Sequence, residues 1–137
     1  MVWSCLVSIL PGMAQTEKLT DYVNPFVGTD GYGNVYPGAQ IPFGGIQISP
    51  DTDSRFYDAA SGYKYNHLTL MGFSLTHLSG TGIPDLGDFL FIPGTGEMKL
   101  EPGTHEDPDQ GYRSRYSHDK EWASPNYYAV ELADYCL

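Results

Sequence analysis

The stretch that decides the fold is LMGFSLTHLSGTGIPDLGDFLFI, residues 70–92. Its two apolar runs, residues 70–75 and 89–92, enclose a segment with one histidine, three glycines and two aspartates. Short apolar runs bounded by glycine or proline are typical of buried strands, and glycine permits positive φ and close approach of the backbone. Because loops on a rigid scaffold often carry function, residues 76–88 are predicted to form a functional loop between two buried strands. The alternative is a glycine-rich turn whose aspartates cap or solubilise it.

The rest of the chain also has the pattern of β-structure. Residues 43–49 alternate with a period of two and end at Pro50-Asp51, and residues 112–116 and 127–135 are further strand patterns. No segment keeps a helical period beyond about two turns, and 16 glycines and 10 prolines favour turns. The sequence therefore predicts an all-β fold, an antiparallel β-sandwich with little helix. Its central strands are predicted to be Phe43–Ser49, Leu70–His77, Gly87–Ile92 and Tyr127–Asp134.

Charge and histidine spacing argue against two classes of function. The chain has 17 acidic and 7 basic residues and a formal charge of −10, which opposes the phosphate neutralisation on which nucleic-acid binding depends. The four histidines lie far apart with no H-x-x-x-H pair, so the pattern does not predict a zinc site. Residues 107–111 resemble a calcium loop only weakly, because the downstream bidentate Glu is absent, and are predicted to be a solvated turn.

The two ends of the chain predict export and a longer parent protein. Residues 1–14 are predicted to be a signal peptide, truncated or atypical because no basic n-region precedes the apolar run. That run is far shorter than the ~20 residues of a membrane span. We therefore expect an exported protein, periplasmic or at the cell surface, with no membrane span. Residues 15–137 are predicted to form one β-domain that is incomplete at its C-terminus, since the last strand pattern stops without a turn or polar tail.

Six blocks of sequence, taken in order, resemble one enzyme family. They are YVNPFVGT (22–29), YPGAQIPFG (36–44), QISPDT (47–52), SGYKY (61–65), GFS (72–74) and the segment 76–88. Each block alone is weakly specific, but their order and spacing are similar to those of glycoside hydrolase family 92, a family of exo-acting α-mannosidases. The resemblance covers residues 19–137.

The resemblance implies a two-domain, calcium-dependent, inverting exo-α-mannosidase. An N-terminal β-sandwich would pack on a helical (α/α) toroid, which is absent from this chain, with the active site at their junction. Inversion needs one acid and one base on opposite sides of the sugar. In the family both carboxylates come from the helical domain, so no residue of this chain is predicted to be catalytic. The implied partners are a mannose-containing glycan and the helical domain of the same protein.

The resemblance also implies which residues face the pocket. Phe26 would stack on a sugar face, or lie in the core. The carbonyl of Asn24 would suit calcium, which prefers oxygen ligands. His77, Asp85 and Asp88 would bind hydroxyls or brace the loop, with a turn cap as the alternative for Asp88. The predicted substrate-binding residues are Phe26, His77, Gly80, Thr81, Gly82, Asp85 and Asp88, and the predicted calcium ligand is Asn24.

The chain departs from the family pattern at two places. Residues 74–77 read SLTH where many members have SHTH, and residues 56–60 hold no Trp before the SGYKY block. If such a Trp reads the leaving sugar, its absence puts a preference for α-1,2 linkages in doubt. A stand-alone carbohydrate-binding module and a purely structural β-module remain alternatives. Under the first of these, Trp122 would be an exposed sugar platform.

Overall fold

The computed structural model describes residues 17–40, 43–53, 57–80, 82–85 and 87–133, so the predicted signal peptide and Thr81 lie outside the described residues. The described part holds seven short strands and four 3-10 turns, and no α-helix. None of its helical turns is long and apolar enough to cross a membrane. The strands are β1 (Ser49–Asp51), β2 (Thr69–Leu70), β3 (Gly72–Ser74), β4 (Leu90–Phe91), β5 (Ser114–Arg115), β6 (Glu121–Ser124) and β7 (Tyr127–Val130). The 3-10 turns are Leu19–Tyr22, Tyr57–Ala59, Pro108–Gln110 and His118–Lys120.

All the strand pairings are antiparallel, which confirms the predicted fold class. β3 is the centre of a three-stranded sheet in the order β1-β3-β4, with Pro50 opposite Phe73 and Phe73 opposite Phe91. β2 pairs with β5. β6 and β7 form a hairpin in which Ser124 faces Tyr127 across a two-residue turn.

The apolar core among the described residues is small and lies between these sheets. Leu70, Tyr116 and Leu132 are its buried members, and Phe73 and Val130 pack against them. The ring of Phe73 also meets that of Tyr128 edge-on at 5.9 Å. The first apolar run of the deciding stretch is therefore buried, as predicted.

All four predicted central strands have different bounds in the structure. The strand expected at Gly87–Ile92 is only Leu90–Phe91, and the strand expected at Tyr127–Asp134 ends at Val130. The prediction of a strand at Phe43–Ser49 is wrong over most of its length, because β1 begins only at Ser49. β1 also includes Pro50 and Asp51, the pair that was expected to end the strand. The strand expected at Leu70–His77 is divided at Met71, whose amide donates to the carbonyl of Asp51 at 2.8 Å. The division follows from the pairing, since β2 and β3 belong to different sheets.

Two further differences concern exposure and a missed strand. The second apolar run was expected to be a buried strand, yet Phe89, Leu90 and Phe91 are all exposed because no described segment covers the outer side of β4. β6 was not predicted, because its residues, EWAS, carry no alternation of apolar side chains long enough to stand out. Its pairing with β7 makes it a strand, and Trp122 on it is half-exposed.

A buried carboxylate joins the C-terminal hairpin to the middle of the chain. Glu121 accepts hydrogen bonds from the hydroxyls of Tyr63, at 2.8 Å, and Tyr128, and its second oxygen lies 2.6 Å from His118 Nδ1. Burial raises the pKa of both phenols far above 10, so the two hydroxyls remain donors at neutral pH. The ring of His118 also stacks on Tyr65 at 3.9 Å. Glu121 therefore satisfies the buried hydroxyl of Tyr63 and two half-buried groups, the Tyr128 hydroxyl and the His118 imidazole.

We predict that Glu121→Gln lowers the free energy of unfolding by about 1–3 kcal/mol, because the amide cannot accept from every donor that the carboxylate serves. The matched control is Glu131→Gln, which removes the half-exposed ion pair of Glu131 with Lys120 at 2.8 Å. Exposed pairs contribute little, so we expect a loss of less than about 1 kcal/mol there. Urea denaturation followed by tryptophan fluorescence measures both variants, and equal losses would contradict the role of Glu121.

Candidate functional site

The side chain of His77 is held on three sides at the start of the segment 76–88. Its Nδ1 lies 2.7 Å from the carbonyl oxygen of Gln47, and its backbone N–H donates to the Gln47 side chain at 3.2 Å. Its Nε2 lies 3.0 Å from both Asp51 Oδ1 and Ser74 Oγ. The ring of Tyr36 packs against the imidazole at a centroid distance of 5.0 Å. The imidazole is thus fixed in position and orientation by groups from β1, β3 and two loops.

The hydrogen bonds of His77 show which ring nitrogen donates to the backbone. A carbonyl only accepts, so His77 Nδ1 donates to the carbonyl of Gln47. Nε2 shares a hydrogen bond with Asp51 Oδ1 at 3.0 Å. Both residues are buried. Because both ring nitrogens are engaged within the chain, the geometry favours the bracing role of His77 over direct hydrogen bonding to a sugar.

Gly62 lies directly against the Asp51–His77 pair. A Cβ placed on this glycine would be 2.1 Å from Asp51 Oδ1 and 3.1 Å from His77 Cδ2, and its φ is +83°. Its carbonyl accepts from the amides of Thr52, at 2.7 Å, and Asp53, at 3.1 Å. Close approach and a left-handed backbone both demand glycine at this position.

A polar pocket of about 200 Å³ opens beside the pair. Asp51 Oδ2 is buried and has no hydrogen-bond partner among the described residues, which is costly for a carboxylate oxygen. Asp85 supplies a second carboxylate at the exposed side. The pocket is lined by Asp51, Ala60, Ser61, Gly62, Thr76, His77, Pro84, Asp85 and Gly87. Hydroxyl and carboxylate groups around such a volume suit a small polyhydroxylated or cationic group.

The structure brings together only part of the predicted substrate set. His77 and Asp85 line the pocket, and Asp88 lies next to it, where its Oδ2 accepts from the Thr76 hydroxyl at 2.9 Å. Gly80 donates its N–H to the carbonyl of Asn34 at 2.7 Å. A Cβ on Gly80 or Gly82 would meet open space, so the close approach expected at these glycines does not involve the described residues.

The other two predicted residues lie in a separate turn. Asn24 Oδ1 accepts from the amide of Phe26 at 3.0 Å, and the carbonyl of Asn24 accepts from Val27 at 3.2 Å. The half-buried ring of Phe26 packs at centroid distances of 6.3 Å from Tyr63 and 5.6 Å from Tyr65. Neither Asn24 nor Phe26 lines the pocket of His77. Their roles in calcium and sugar binding remain predictions.

Sequence reasoning missed Asp51, Ser61 and Gly62 as members of this pocket. All three stand in blocks that carry the family resemblance, QISPDT and SGYKY, and that signal could have marked them. Asp51 was instead assigned to a strand end, because Pro-Asp is a common turn pair. Its true partner, His77, lies 26 positions away, and no local pattern links the two.

A second polar cluster follows β1. His105 bridges Thr69, through Nδ1 at 2.8 Å, and Asp53, through Nε2 at 3.2 Å, and its ring lies 4.0 Å from that of His67. Burial, followed by the nearby Arg113 guanidinium, lowers the pKa of His105. The described residues contain no group of three or more His, Cys, Asp or Glu side chains that could hold a metal ion. This cluster ties the loop after Leu100 to the sheet.

Comparison with known proteins settles the family. The family model described as the glycosyl hydrolase family 92 N-terminal domain matches residues 22–137 of this sequence. The chain belongs to glycosyl hydrolase family 92. An uncharacterized secreted glycosidase of Arthroderma benhamiae is 30% identical over 113 residues, which cover 81% of this chain and 14% of that protein.

Two solved structures place the fold within the same family. The family 92 glycosyl hydrolase ccman5 is 36% identical with a TM-score of 0.67, over 82% of this chain and 14% of that one. A family 92 inverting mannosidase from Bacteroides thetaiotaomicron VPI-5482 is 28% identical with a TM-score of 0.65, over 87% of this chain and 16% of that one. The chain therefore spans about a seventh of the length of these relatives.

We predict that Gly62→Ala lowers the free energy of unfolding by about 2–4 kcal/mol, from the left-handed backbone and the overlap with Asp51. Gly94→Ala is the matched control, because a Cβ there meets nothing within 4 Å and the backbone is not left-handed. We expect the control to change stability by less than about 0.5 kcal/mol. Chemical denaturation measures the free energy of unfolding of the two variants, and equal values would show that Gly62 is not constrained.

The donor set near Asn24 fits one calcium ligand but not a complete calcium site. Calcium takes about 6–8 oxygen ligands, and the carbonyl of Asn24 is a single neutral donor with one lone pair left after its bond to Val27. We therefore predict that calcium titrated into this chain shows no saturable binding tighter than about 1 mM by calorimetry. Magnesium is the control for weak attraction to the net negative charge, and sub-millimolar, calcium-selective binding would contradict the prediction.

Proposed function

We propose that this chain is the N-terminal domain of an exported, calcium-dependent, inverting exo-α-mannosidase and forms the sandwich side of its substrate pocket. The observation that carries the proposal is the pocket of Asp51, Ser61, His77 and Asp85, which is built from the sequence blocks that mark the family. The likeness to an inverting mannosidase supports the reaction. The secreted Arthroderma relative supports export, to the periplasm or the cell surface.

The described residues of the pocket do not offer the pair of available carboxyl groups that glycoside inversion requires. Inverting enzymes hold a general acid and a general base roughly 6.5–9.5 Å apart, with a water between the base and the sugar. Asp51 Oδ1 is bonded to His77, and its second oxygen is buried. Asp85 is then the one exposed carboxylate among the described pocket residues, so they do not offer an acid and a base together. In keeping with the family resemblance, the proposal assigns both catalytic carboxylates to the part of the parent protein outside this chain.

The chain's own contribution is shape and orientation. The fixed His77–Asp51 pair holds the start of the segment 76–88, and the bond from Thr76 to Asp88 closes its end. In the proposal the exposed Asp85 accepts hydrogen bonds from sugar hydroxyls at the open side of this frame, while the buried Ser61 lines its inner side. Calcium would be held mainly by residues outside the chain, with the Asn24 carbonyl as one ligand.

Two measurements on the purified chain test the proposal. We predict no turnover of α-mannobiose above background, with or without calcium, because the acid and base are absent. We also predict that α-mannobiose perturbs the ¹H–¹⁵N resonances of Asp51, His77 and Asp85 at millimolar concentrations. Cellobiose, a disaccharide of the same size without mannose, is the matched control.

Each contrary result has a definite meaning. Turnover by the chain alone would show that the catalytic carboxylates lie within it. Equal perturbation by cellobiose would remove mannose selectivity from the pocket. Perturbation by mannobiose only near Trp122 on β6 would favour a carbohydrate-binding module that uses a different face.

A further inference from the structure

Residues 89–91, in the second apolar run of residues 70–92, are exposed together with two apolar side chains that follow. We term this surface the β4 patch, and it consists of Phe89, Leu90, Phe91, Met98 and Leu100. Their exposures are 65%, 37%, 59%, 83% and 81% respectively, so most of this side-chain area faces solvent. Leu90, Phe91, Met98 and Leu100 also line one groove, so their exposed apolar area is clustered. Clustered apolar area of this kind on a folded domain is typical of an interaction site.

Two further features show the form of the expected partner. β4 pairs with β3 on one side, and no strand of the described part pairs with its other edge. An unpaired edge presents backbone N–H and C=O groups that an added strand satisfies. Beside it lies a groove of about 880 Å³, which residues 90–100 line together with Asp109, Gly111, Tyr112 and Arg113. Edge and groove together fit an extended, apolar segment.

We propose that the β4 patch docks an apolar β-strand from the remaining polypeptide of a full-length family 92 protein, which extends the sheet β1-β3-β4. The length of the relatives supports this occupant, since this chain matches only 14% and 16% of the two solved enzymes. The small core of the described residues supports it too, because the apolar side chains on β4 are exposed in the part of the chain that the structure describes. A second copy fits less well, since two chains of charge −10 repel each other.

The inference rests on family membership and not on the proposed mannosidase activity. Its test compares one substitution in two contexts, the isolated chain and a chimera in which this chain replaces the matched segment of ccman5. Phe91→Asp should change the Tm of the isolated chain by less than about 2 °C, because the ring is already exposed there. In the chimera it should lower the Tm by about 5 °C or more, because the charge would enter a buried contact.

Trp122→Asp is the matched control, since Trp122 is 49% exposed on β6, in a different sheet. It should shift the Tm by less than about 2 °C in both contexts. Hydrogen exchange adds a direct readout. The N–H groups of successive strand residues point to opposite edges, so one amide of the Leu90–Phe91 pair points to the free edge. That amide should be protected at least tenfold more in the chimera. The mannosidase of Bacteroides thetaiotaomicron serves as a second host if the first chimera does not fold.

Four results would overturn the proposal. The first is a chimera whose Tm does not change with Phe91→Asp, and the second is a chimera whose Tm falls with Trp122→Asp instead. The third is failure of both hosts to fold with this chain inserted. The fourth is an isolated chain that light scattering shows to be a dimer and that Phe91→Asp converts to a monomer. The last would assign the patch to a second copy. Mannoside turnover is not among these readouts, so failure of the proposed function leaves this test intact.

Discussion

The rest of the site depends on the buried pair of Asp51 and His77. It joins β1 to the segment that follows β3, and it obliges the neighbouring residues to fit around it. Gln47 accepts from the other side of the imidazole, and Gly62 leaves the space that a Cβ would fill. Burying polar groups is costly unless they are hydrogen-bonded, and here Gln47 and Ser74 bond the imidazole in addition to Asp51.

Buried polar networks, more than a large apolar core, connect the parts of this domain. Glu121 links the C-terminal hairpin to Tyr63, and His105 links the loop after Leu100 to Asp53. The buried apolar cluster has only three members among the described residues, and many large apolar side chains face outward. Each network fixes one relative position through directional bonds, which suits a domain that presents a shaped pocket. The outward apolar surface on β4 is what the proposed docking of a further strand would cover.

Membership of family 92 and the geometry of the pocket support each other. The family match covers nearly all of the described chain, and the pocket is formed where several of the characteristic blocks meet. The block with His77 supplies the brace, the block with Asp51 supplies its hydrogen-bond partner, and the block with Gly62 supplies the space. The blocks are thus one structural unit in three dimensions, although they are separated along the chain.

The sequence by itself determined the fold class, the family and the loop that carries the site. Period-two patterns and abundant Gly and Pro indicated antiparallel strands with many turns, because those features act within a few residues of each other. Only the tertiary structure decided that Asp51 meets His77, that Gly62 is sterically constrained at the pocket while Gly80 and Gly82 are not, and that residues 89–91 are exposed. It also decided that β6 is a strand and that residues 70–77 divide between two sheets. These features depend on pairing between residues far apart in sequence, and local periodicity reports which side chains are apolar but not which partner covers them.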